Sequence, residues 1–197
     1  MNFVAAFQLN ANEAQAAALG QLQQAFARLC NAITPQVSQT RCWNRVALHH
    51  MVYHQLRKDF PGMGSQMICN AIYAVSRAAR VVYQHPRSPF RADRYPAGSP
   101  LPRLQFGDDC PVYFDSHTLT IKDGRLSLYT MEGRLHFDLG LTPAQLQAFA
   151  NQKLRSIVMV RQADGRFSLR FSLQAEPLPP PHQPVAMPDY LHISEPV

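Results

Sequence analysis

The feature that most constrains this chain is a change of hydrophobic period near Pro111. Before it, apolar residues recur every three or four positions, as on helices. After it they alternate, as on strands. One segment breaks the division: residues 2–9 alternate, with Phe3, Ala5, Phe7 and Leu9 on one face and no local partner strand. The pattern predicts that this first strand joins the later sheet. The helical stretch between them would then be an insertion into a discontinuous β domain.

Local signals fill in the elements. Asn12 opens a helix with Gln15 as its capping-box partner, and Leu19, Leu22, Phe26, Leu29 and Ile33 form its apolar stripe; Pro35 is expected to end it. A second helix runs from Trp43 to Asp59 with Leu48, Met51, Val52 and Leu56 inward. Phe60-Pro61-Gly62-Met63-Gly64 turns the chain into a third helix, with Ser65 as N-cap and His85-Pro86 as its end. Pro- and Arg-rich residues 86–104 are expected to lack regular structure. Strands follow at 118–122, 125–130, 134–139, 156–162 and 166–173, with a weaker one at 111–115. Asp123-Gly124, Glu132-Gly133 and Asp164-Gly165 supply turns. Thr142, Pro143 and Gln145 mark one helix within the β half. Residues 177–197 hold seven prolines and read as a mobile tail. The expected fold is α+β: a partly closed antiparallel β-barrel, with its first strand in residues 1–11 and its remainder in 96–176, around a three-helix insertion over 12–95.

The chemistry concentrates in the insertion. Residues 1–100 hold ten Arg/Lys and three Asp/Glu, a net +7, whereas residues 101–197 carry −1. Nine of those ten cations lie between Arg41 and Arg94, interleaved with Trp43, Tyr53, Tyr73 and Tyr83. A basic helical module of this kind suits a polyanion. On the third helix Gln66, Asn70, Tyr73, Arg77 and Arg80 recur at intervals of 4, 3, 4 and 3, which puts them on one face. Ile68, Ala71, Ile72, Val75, Ala79 and Val82 take the other. Amides can bond base edges, a phenol can stack, and guanidinium groups can take phosphate. An ordinary solvated face is the plain alternative.

The string Leu48–Arg80, above all FPGMGSQMICNAI, together with the TIKDGRLSL hairpin and the EPLPPP exit, resembles TnpB-type proteins. These are transposon-encoded, RNA-guided DNA nucleases, also called OrfB transposases. The resemblance covers residues 1–180. It implies that the barrel is a wedge domain and the inserted helices a recognition domain, which together hold guide RNA and a short DNA motif. By position, Gln66 and Asn70 would face that DNA motif, with Tyr53, Arg57 and Lys58 as neighbours and Arg77 and Arg80 on backbone phosphate. The family's RuvC-type nuclease domain would begin where this chain stops. The resemblance therefore implies a nuclease-deficient binding protein that acts as a regulator, or as the recognition half of a split effector with a separately encoded nuclease. A protein-binding adaptor or inhibitor on the same fold is the alternative, and a small metal-dependent enzyme a third.

Other signals point to no chemistry. Two-metal cleavage needs clustered carboxylates, but Asp108, Asp109, Asp115, Asp123, Glu132, Asp138 and Asp164 fall mostly in predicted turns or at strand ends. His50 and His54 have the i, i+4 spacing of zinc ligands but no third ligand in sequence. Cys69 lies among apolar neighbours, and the Gly62–Gly64 turn lacks the Lys-Ser/Thr of a phosphate loop. Pro179–Pro181 reads as a linker before a polyproline ligand. No catalytic residue, metal or cofactor is expected. Widely spaced Cys30, Cys42, Cys69 and Cys110, a polar N-terminus and the lack of an apolar run of ~20 residues suit a cytoplasmic protein with no membrane partner.

Overall fold

The computed structural model describes residues 4–151, 156–172 and 179–194; Phe3 of the first strand lies outside them. The protein is α+β, and the strands among the described residues form three antiparallel sheets. None closes into a barrel, so the expected barrel is replaced by separate sheets. The chain divides into two compact units: residues 1–24 with 111–176, and residues 25–110 with 177–197.

In the first unit, strand β1 (Val4–Gln8) pairs antiparallel with β8 (Phe167–Ser172), in register from Val4↔Ser172 to Gln8↔Ser168. The orphan strand thus finds its partner more than 150 residues away, as its lack of local neighbours predicted. β8 continues to β7 (Ser156–Arg161) and β7 to β3 (Val112–Phe114). Phe171, Leu169, Val112 and Met159 are sealed within this unit. A second sheet joins β4 (Leu119–Lys122), β5 (Arg125–Thr130) and β6 (Gly133–Asp138). Asp123 and Gly124, both at positive φ (51° and 77°), make the two-residue hairpin between β4 and β5. Helix α4 (Pro143–Asn151) starts with the predicted box: Gln145 Oε1 accepts from Thr142 N at 2.9 Å.

Helix α1 (Glu13–Thr40) begins with the reciprocal Asn12–Gln15 hydrogen bonds, 3.0 and 2.9 Å. Its stripe from Leu19 to Ile33 is fully buried. It does not stop before Pro35 but runs through it to Thr40. A proline removes the N–H that would serve the carbonyl four residues back; here the Thr34 hydroxyl donates to that carbonyl, of Asn31, at 3.2 Å. Beyond the proline Val37 is fully buried, and the Ser38 hydroxyl donates to Leu101 O, so packing holds the added turn. The helix yields at Arg41, which takes positive φ (54°).

The rest of the second unit is built around α2 (Arg45–Asp59) and α3 (Ser65–Gln84). Asn44 caps α2 by accepting from the Val46 and Ala47 amides. Leu48, Val52 and Leu56 are buried as expected, but Met51 is 41% exposed. Gly64 rather than Ser65 occupies the N-cap of α3 and forms no side-chain cap. The proline-rich connector holds a 3-10 turn at Ala92–Arg94, and its last residues enter strand β2 (Arg103–Phe106). Part of the segment read as a mobile tail is also regular: β9 (Leu191–Ser194) pairs antiparallel with β2. Asn31 clamps the same strand, since its side chain donates to Phe106 O at 2.9 Å and accepts from Phe106 N at 2.7 Å.

Candidate nucleic-acid interface

Helices α2 and α3 form an antiparallel hairpin, and the third-helix face drawn from sequence is only partly displayed on it. Arg80 is exposed; Gln66, Tyr73 and Arg77 are half-buried. Asn70 departs from expectation, being 5% exposed, with its amide nitrogen 3.8 Å from Met67 Sδ. The cause is the width of the buried arc. Eleven residues of α3 are buried, among them Met67, Ala74 and Ser76 beside the expected stripe. Asn70 sits at the edge of the polar arc next to Met67 and Ala74, and packing there takes it.

From α2, Arg57 and Lys58 are exposed near the turn; Arg57 Nη1 donates to Met63 O at 2.9 Å, which fixes the guanidinium against the loop. Tyr53 is half-buried and stacks on His49, with ring centroids 4.5 Å apart and planes at 19°. The Arg45 guanidinium lies 5.4 Å from the Tyr73 ring centroid, joining the two helices through a cation–π contact. Arg45 and His49 are thus in contact with two of the candidate residues, and the sequence reading did not pick them. Their signal was available in the four-residue spacing of Arg45, His49, Tyr53 and Arg57, which makes one ridge of α2. Between Arg45 and Gln84 the sequence holds five Arg/Lys against the single acid Asp59. Asp59 accepts from the Gln55 amide at 2.8 Å.

His50 and His54 are exposed on the outer side of α2. Among the described residues, no group of three or more His, Cys, Asp or Glu side chains gathers where a metal ion would sit. Two carboxylates of the β half have local roles. Asp115 accepts from the His117 and Thr118 amides, and Asp164 accepts from the Arg166 side chain at 2.6 Å, which holds its carboxyl below the usual range. Cys69 is half-buried on α3. Among the described residues, no helix is long and apolar enough to cross a membrane. No protein-family model and no curated protein sequence matches this chain.

Proposed function

We propose that this protein binds nucleic acid through the α2–α3 hairpin and performs no chemistry on it. The observation that carries this reading is the imbalance of charge on the hairpin: Arg45, Arg57, Lys58, Arg77 and Arg80, with aromatic rings between them, face one acid. Arg57, Lys58 and Arg80 are exposed, as phosphate contacts require. Gln66 is the amide left to read a base edge, since Asn70 is buried.

In its finer form the reading takes the hairpin as the recognition part, and the sheets as the wedge part, of a TnpB-like assembly. Guide-type RNA or DNA would be the ligand and a separately encoded nuclease a partner. This form rests on the local strings and the order of elements. A second reading, docking to a protein, is favoured by Val46 and Met51, which are 65% and 41% exposed on α2.

Binding of RNA, duplex DNA and single strands, measured across low and moderate salt, separates the two. A phosphate-driven complex weakens log-linearly with salt. Arg80→Ala should weaken binding to every sequence alike and lower the salt slope by about one unit. Gln66→Ala should cost ~1–3 kcal/mol on a preferred sequence only. Unchanged affinities in both variants would leave the hairpin to a protein partner.

A further inference from the structure

The ridge on α2 and the cleft beside it hold more than phosphate binding needs. Along the ridge the Tyr53 ring is stacked on His49. The exposed His50 and His54 rings meet those two edge-on, at 5.9 and 5.6 Å. Next to them Arg45, Val46, His49, Cys69 and Ile72 line a cleft of about 360 Å³. Its lip is apolar, with Val46 65% exposed, yet it is flanked by Arg45 and, further along the ridge, by Arg57.

An apolar cleft with the His49 ring in its wall, the Tyr53 ring beyond it on the ridge and a cationic border suits a ligand that is flat, apolar on its faces and anionic between them. A duplex does not offer this, because its base faces are buried in its own stack and only edges and phosphates are presented. An unpaired strand does. Resting on the nucleic-acid reading above, we propose that the Arg45–His49–Tyr53–Arg57 ridge and the adjoining cleft are a stacking track for unpaired bases. The ligand of this hairpin is then single-stranded nucleic acid, RNA or DNA, with bases against His49 and Tyr53 and phosphates on Arg45 and Arg57.

The test uses the full chain and fluorescence anisotropy at moderate salt. Three labelled ligands about a dozen nucleotides long, within single-strand site sizes, are compared: a pyrimidine single strand, a duplex, and a strand of equal length whose central sugars lack bases. The single strand should bind at least ten-fold more tightly than the other two. Tyr53→Leu should weaken single-strand binding by roughly ten-fold and leave duplex binding unchanged, while Tyr53→Phe, which keeps the ring, should retain it. Circular dichroism checks that the variants keep their helices, and the base-free ligand tests the idea without any variant. Equal binding of single strand, duplex and base-free strand overturns the stacking track and leaves phosphate binding standing. Failure of all three ligands to bind even at low salt overturns the nucleic-acid reading and the track with it.

Discussion

At the scale of single residues, the buried thiols make the clearest statement about solvent and charge. Cys30 and Cys110 are 0% and 1% exposed, in contrast to the half-buried Cys42 and Cys69. Burial, with Asp109 and Asp108 nearby, pushes the Cys110 thiol from an ordinary 9.0 up to about 12; burial raises Cys30 as well. A thiol whose folded pKa is raised is neutral in both states below pH 9, so stability is intact there. Above pH 9 the unfolded chain ionises first and gains free energy, so stability falls as pH rises toward 12. Two thiols should therefore react quickly with an alkylating reagent at pH 8 and two only on unfolding. The unfolding midpoint should drop between pH 9 and 11, and Cys110→Ser should not be labelled at that site in either state. Fast labelling of all four thiols would contradict the burial. Asn70 teaches a related lesson, since its spacing placed it with Gln66 and Arg77 but the arc's edge buried it.

At the scale of elements, α1 shows how a local rule is overridden by a local remedy. Pro35 forfeits one backbone hydrogen bond, and Thr34, itself 1% exposed, supplies a substitute to Asn31 O. Thr34→Val keeps the shape but removes that donor, so it should destabilise by ~1–3 kcal/mol in denaturant unfolding. An unchanged midpoint would mean that the Asn31 carbonyl is satisfied otherwise. Capping boxes and the Asp123-Gly124 hairpin were legible because each signal lies within a few residues of its effect. What could not be read were features decided by distant chain. Ser38 meets Leu101, Asn31 meets Phe106, and Leu191 finds β2, none of which leaves a trace in local period. The candidate site divides the same way. Exposed Arg57, Lys58 and Arg80 follow from charge and spacing, whereas the Arg45–Tyr73 contact depends on how α2 crosses α3.

At the scale of the whole molecule, each unit is completed by a strand from far along the chain. β1 closes against β8 and β2 against β9, so the two pairings interleave in sequence order. No single cut leaves both intact. Deleting the residues from 186 onward removes β9 and with it the burial of Leu191, which is 6% exposed. Loss of that one side chain should cost about 1.5–3 kcal/mol, seen as a lowered denaturant midpoint, whereas an unchanged midpoint would show that β2 is held by Asn31 alone. The interleaving also has a consequence for the nascent chain. Strand β1 leaves the ribosome early but cannot pair until β8 has been made, a wait of roughly 10–30 s at ~5–20 residues per second. Through that interval Ala5 and Phe7, which lie opposite Phe171 and Leu169 in the finished sheet, have no partner strand. An extended apolar segment left unpaired for that long is what a chaperone of the growing chain would shield, and in this protein that segment is β1.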